Sequence, residues 1–222
     1  MLKSKDMGTA TETKRINAPE PGRGRRRLLS IMVAASLPGV AGAESAGTVA
    51  FSNGAATVVY ANGNREPLSR GMTLSEKDTI RTGPSGLAQI RFTDGAYISI
   101  QRNTVFKIDE YAYSGKSEAA TGSGQDTNKG FFSLVTGGFR AITGFLGVKN
   151  YRVKTPVATI GIRGTEYFAE YGRSLTFNVA DGAIEVCNTA GCQFFRENEF
   201  GNIEDNAALI QRLRDLACML HE

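Results

Sequence analysis

The sequence predicts an all-β protein of many short antiparallel strands, finished by one short C-terminal α-helix. Three observations point there. Apolar residues alternate at period two, most clearly at Ala88, Ile90 and Phe92 against Gln89, Arg91 and Thr93; that spacing lays one face of a strand on a core. Twenty-six glycines, several in Asn-Gly or Asp-Gly pairs, punctuate the apolar runs, and such pairs tolerate the positive φ of tight hairpin turns. From Ile203 the period changes. Ile203, Ala207, Ile210, Leu213, Ala217 and Leu220 recur at spacings of three and four, an amphipathic stripe over 201–222 that packs as a helix on the β body.

At 222 residues the chain has room for one core-bearing domain plus extensions. Its formal charge of +4 is unevenly spread. Residues 1–43 carry eight Lys or Arg and three acids, net +5, which leaves 18 basic and 19 acidic residues, net −1, for the rest. A body without positive excess has little counterion-release drive toward nucleic acid, so none is expected as a partner.

The leader reads in three parts. A polar, basic stretch ends in Arg25-Arg26-Arg27, an apolar run covers 28–40, and the small-x-small triplet Ala41-Gly42-Ala43 precedes Glu44. Charged region, short apolar region and cleavage site describe a signal peptide over 1–43, with the mature chain starting at Glu44. Thirteen apolar residues are short of the roughly 20 that span a bilayer, so contact with the membrane is transient and the protein periplasmic or secreted. Arg25-Arg26-Arg27-Leu28-Leu29 resembles a twin-arginine signal, and the leader suits either that route or general secretion.

The β body is expected over 44–200. Strands at 47–51 and 56–61 surround Ser52-Asn53-Gly54-Ala55, and Asn62-Gly63 marks a second turn. A glycine turn at Gly71 and a short strand at 79–81 follow. The strongest hairpin has Asp94-Gly95 at its tip, with Ile98 and Ile100 on the returning strand. A further strand covers 104–108. Residues 114–129 hold no aliphatic side chain larger than alanine, cannot bury enough to offset their ordering, and read as a flexible insertion. The run 130–148 restarts as strand, though its glycines also suit a short helical turn. The central stretch, 155–167, begins as a strand entered through Pro156. Ala158, Ile160 and Ile162 share one face, Thr159, Gly161 and Arg163 the other, and Gly164 breaks the pattern as a bulge would. Ser174–Val179 and Ala183–Cys187 flank Asp181-Gly182 as a second Asp-Gly hairpin.

That central stretch, TPVATIGIRGT, with LSRGMTLSEKDTIRTGPSGLAQIRFTDGAYISI upstream, resembles the closing and opening motifs of the ferric-citrate-regulator (FecR) domain family over about 47–186. Thr155, Pro156, Ala158, Ile160, Ile162 and Gly164 are the structural positions of the closing motif, and Asp94-Gly95 belongs to the opening one. The resemblance implies a solenoid-like or sandwich stack of strands and a non-enzymatic role. FecR-type regulators typically control an extracytoplasmic sigma factor from the inner membrane. Here about 27 residues precede the apolar run, too few for their cytoplasmic segment. The expected function is thus an exported interaction module with a protein partner in the cell envelope, in signalling or surface-structure assembly. Arg163 and Thr165 at the kink are its candidate binding residues. A membrane-anchored sigma-pathway regulator and a cell-wall carbohydrate binder or hydrolase are the alternatives.

No catalytic constellation is legible. The single histidine, His221, sits at the extreme end, and no G-x-S-x-G elbow or phosphate-cradling loop occurs. Asp94 and Asp181 each precede a glycine, where aspartate is good turn chemistry. Tyr97, Tyr111, Tyr113, Tyr167 and Tyr171 suit either a sugar-binding face or sheet packing. Three cysteines make no metal set, so no metal or cofactor is expected. In an oxidising compartment Cys187 and Cys192, at opposite ends of a four-residue loop, form a disulfide, with Cys218 free.

Overall fold

The structure, a computed structural model, describes residues 45–115, 128–144, 150–204 and 211–213, without the side chains of Arg163 and 211–213. The leader, the centre of the glycine-rich insertion, Cys218 and His221 lie outside them. The described residues form fifteen strands: β1 Ser45–Asn53, β2 Ala56–Val59, β3 Arg65–Pro67, β4 Thr73–Ser75, β5 Thr79–Thr82, β6 Leu87–Phe92, β7 Tyr97–Ile100, β8 Val105–Ala112, β9 Lys129–Ile142, β10 Tyr151–Lys154, β11 Thr159–Tyr171, β12 Ser174–Asn188, β13 Gly191–Arg196, β14 Phe200–Glu204 and β15 Gln211–Leu213.

All fifteen belong to one hydrogen-bonded sheet, and its register separates into two arms. One arm runs β3-β2-β5-β8, then the first half of β9, β10, the first half of β11, the second half of β12, and β13. The other runs β4-β1-β6-β7, then the second halves of β9 and β11, the first half of β12, β14 and β15. The arms meet face to face in a shared core. Phe92 on β6 packs edge-on to Phe132 on β9 at 5.1 Å, Phe106 on β8 meets Phe139 at 5.4 Å, and Phe177 meets Phe195 at 4.7 Å. Each pair joins one arm to the other, which makes the fold a sandwich. Every pairing is antiparallel except β9 with β10, where β10 fills the wedge between the diverging halves of β9 and β11.

The expected alternation holds where it was clearest. Ala88, Ile90, Phe92, Ile98, Ile100, Ala158, Ile160 and Ile162 are all buried. Several expectations are corrected. The strands are not uniformly short, since β9, β11 and β12 have 14, 13 and 15 residues. Residues 129–142 are one strand with no helical turn. Asp181-Gly182 tips no hairpin: both flanks pair along β11, so the dipeptide bends a single strand, β12. The Asn53-Gly54 turn likewise joins strands that do not pair, whereas Asn62-Gly63 does tip the β2–β3 hairpin. The central strand begins at Thr159 rather than at Thr155, because Pro156 has no N–H to give a ladder and sits in the turn before it. Of the expected C-terminal helix, the described residues 201–204 and 211–213 are strand instead. Gly201 and Ile203 are buried and Asn202 half-buried, a period of two, and the free edge of β12 satisfies their backbone.

Candidate functional site

The expected binding residues lie at the corner where β11 bends from one arm to the other. Gly164 has φ +58°, and the register with β12 slips between Arg163 and Glu166. Thr165 follows, buried, and its hydroxyl donates to the Ala183 carbonyl at 2.7 Å. Its N–H donates to Thr143 Oγ1 at 2.7 Å and its carbonyl accepts from Thr143 N–H at 3.1 Å. Thr165 thus ties the end of β9 to the bends of β11 and β12. Arg163 pairs through its backbone with Ala183. Outside the corner, Arg140 donates to Glu166 through Nε at 2.9 Å and through its second terminal nitrogen.

The neighbouring motif residues are structural too. Thr155 closes the β10–β11 turn: its Oγ1 donates to Ala158 O at 2.9 Å and accepts from Ala158 N–H at 3.0 Å, with exposed Pro156 between. Asp94 is buried in the β6–β7 turn, where Oδ1 accepts from Ala96 N–H at 3.2 Å and from the Tyr111 hydroxyl at 2.9 Å. Burial pushes the Tyr111 phenol well up. Asp181 lies exposed at the β12 bend. Of the five tyrosines, Tyr111 and Tyr167 are in the core, so they form no common outer face. Cys187 and Cys192 are joined, as expected, directly opposite each other on β12 and β13. The ladder continues to Asn188 and Gly191, so the turn itself is only Thr189-Ala190. The Glu185 carboxylate lies beside both sulfurs, but sulfurs bonded to each other are not thiolate ligands for a metal.

A second site was not legible in the sequence. A groove of about 600 Å³ crosses the outer side of β1, β6 and β7, lined among others by Thr48, Ala50, Arg70, Arg91, Gly95 and Tyr97. Thr48 pairs with Arg91 and Arg91 with Tyr97, so these three stand in one row across the strands. The Arg91 guanidinium lies 5.8 Å from the Tyr97 ring centre, within cation–π reach. Arg70 arrives from the β3–β4 turn, which Gly71 N–H and Met72 O fasten to Val49 at 2.8 and 2.9 Å. The alternation of β6 does mark Arg91 as outward-facing. Nothing in the sequence pairs it with Arg70, twenty-one positions earlier.

Residues 78–185 match the family model described as FecR protein. The matched stretch runs from the start of β5 into β12 and includes the bends of β9, β11 and β12, and over it the chain is similar to the FecR family. Two crystal structures of one candidate anti-sigma factor from Parabacteroides distasonis ATCC 8503, at 1.65 and 2.50 Å resolution, are similar with TM-scores of 0.48 and 0.47 and 15% identity. Each alignment covers 62% of this chain and 59% of the other, so the chain spans that 59% of their length. A cell surface anchoring domain gives 0.27 at 29% identity, over 28% of this chain and 82% of its own. No curated protein matches.

Proposed function

We propose that this chain is an exported, non-enzymatic interaction module of the cell envelope, acting in envelope signalling or in assembly of a surface structure. The observation that carries the reading is the similarity to the FecR family over 78–185. Two features support it. The Cys187–Cys192 disulfide suits an oxidising compartment. The carboxylates nearest to a catalytic reading, Asp94 and Asp181, serve a buried turn and a strand bend. Among the described residues no helix is long and apolar enough to cross a membrane.

The test has two parts. The leader, residues 1–43, is fused to a phosphatase active only outside the cytoplasm, and the N-terminus of the full chain is sequenced from fractionated envelope. Activity and an N-terminus at Glu44 are expected. An intact Met1 in the cytoplasm overturns export, while an intact Met1 in the membrane fraction favours an anchored regulator. In-envelope crosslinking then reads whether a protein partner is captured.

A further inference from the structure

We propose that the groove over β1, β6 and β7 docks an extended acidic segment of a protein partner, its carboxylates taken by Arg70 and Arg91. This rests on the interaction-module reading and names the surface and the chemistry it uses. Charge complementarity is the first argument. Three cations elsewhere on the outer faces are matched: Arg140 with Glu166, Lys129 with Glu110 at 2.7 Å, Lys107 with Asp109 at 3.0 Å. In the groove two arginines converge on one cavity, and neither has a carboxylate partner among the described residues.

Shape is the second argument. Tyr97 supports one face of the Arg91 guanidinium, which leaves its N–H edge for a carboxylate, the fork that Arg offers and Lys does not. Both arginines are exposed, so a lone small anion there would be held weakly against water and salt. A chain segment gains from length. It can lie along the groove past Ala50, where the β1–β6 register slips, and reach Phe51, which is 48% exposed. In an extended segment, alternate residues face the same way. The ligand class is therefore a strand-like peptide with Asp or Glu at alternate positions and small or apolar residues between.

The full chain is titrated into a fluorescein-labelled nine-residue peptide alternating Glu with Val and Thr, and into its Gln counterpart, by fluorescence anisotropy. The Glu peptide should bind, the Gln peptide about tenfold or more weaker, and affinity should fall with salt. Arg70→Gln and Arg91→Gln should each lose about tenfold with an unchanged melting temperature. Arg173→Gln, an exposed arginine in the β11–β12 turn, should change nothing. Equal binding of both peptides, an equal loss with Arg173→Gln, or equal affinity for a DNA oligomer would overturn the proposal. In-envelope crosslinking separates it from the broader reading. If the double variant captures the wild-type partner in full, the groove fails while the module stands. If the wild type binds the acidic peptide but captures no protein, the module reading fails instead.

Discussion

The chain passes between the two arms of its sandwich in two different ways. From β1 to β8 it crosses through turns, leaving one short strand and starting another. The positive-φ residues Lys77 and Asn103 stand at two of those crossings. From β9 to β12 it crosses inside unbroken strands that bend at Gly137, Gly164 and Gly182, each with positive φ. A bend in a continuous strand frees backbone groups in the middle of a packed sheet, where water cannot reach them. Buried hydroxyls answer that need. Thr104 Oγ1 accepts from Gly138 N–H at 3.0 Å and lies 3.1 Å from Gly138 O, as Thr165 serves Ala183. In the first region the corresponding tie is a carboxylate: Asp78 accepts from Ser75 N–H at 2.9 Å and from Ala61 N–H at 3.2 Å. The bends of the long strands are fastened by neutral hydroxyls, whereas the turn crossings combine a neutral one, Thr82 Oγ1 accepting from Thr104 N–H at 2.9 Å, with this ionisable group.

The largest effect should come from the bends. A Cβ on Gly182 would stand 2.2 Å from the Gly164 carbonyl oxygen, whereas one on Gly164 meets nothing within 4 Å. Gly164→Ala should cost about 1–2 kcal/mol, the left-handed penalty alone. Gly182→Ala adds a backbone clash and should cost about 4 kcal/mol or more. Gly71→Ala, at a turn crossing with open space, should resemble Gly164→Ala. Urea midpoints measure all three, and equal losses would mean that β12 bends no more tightly than a surface turn.

Next come the hydroxyl ties. Thr104→Val and Thr165→Val keep shape but strand buried partners, at about 1–3 kcal/mol each. Amide exchange at Gly138 should accelerate in the Thr104 variant and stay slow in the Thr165 variant. If neither changes, the hydroxyls are incidental to the bends.

The smallest effect is pH dependence at Asp78. Burial raises its pKa, against the lowering by the Ser75 and Ala61 N–H groups. A raised folded pKa means that the native state holds the proton more tightly. The stability this gives is full below about pH 3.9, the ordinary aspartate value, and is lost as pH rises through the folded value. Relative to Asp78→Asn, the wild type should therefore lose stability with rising pH from about 4. Urea midpoints of both across that range decide it; a difference of opposite slope would show that the two N–H bonds outweigh burial. The threonine variants keep Asp78, so their difference from wild type should show no such slope.

How much of this could be read in the sequence follows from the range of each interaction. Alternation at Ala88 to Ile100 and at Ala158 to Ile162 depends on near neighbours, and it gave the right faces. The Cys187–Cys192 pair, five apart, was equally local. Asp181-Gly182 misled because the same dipeptide serves a hairpin or a bend. The choice depends on whether the flanks pair with each other or with β11, at separations that run from Leu175–Tyr171 out to Cys187–Thr159. Thr165 looked like a binding residue at a kink because its acceptor, Ala183, lies eighteen positions on. Arg70 and Arg91 meet only after the β3–β4 turn folds over β1. The period of three and four from Ile203 was genuine, but a free sheet edge decided the described part of it.

The parallel wedge strand has a kinetic consequence. β9 has four partners, β7, β8, β10 and β11, and no other strand described here has so many. The β6–β7 and β10–β11 hairpins are local and can close within about 1–10 μs. β9 must instead find β8 across the insertion on one side and β10 on the other, in the same direction as β10. Parallel pairing and long loop closure are the slow steps of β folding. Until β9 docks, both arms lack their middle strand and expose apolar faces together. The interval before that event is the time in which the nascent domain depends most on protection from aggregation.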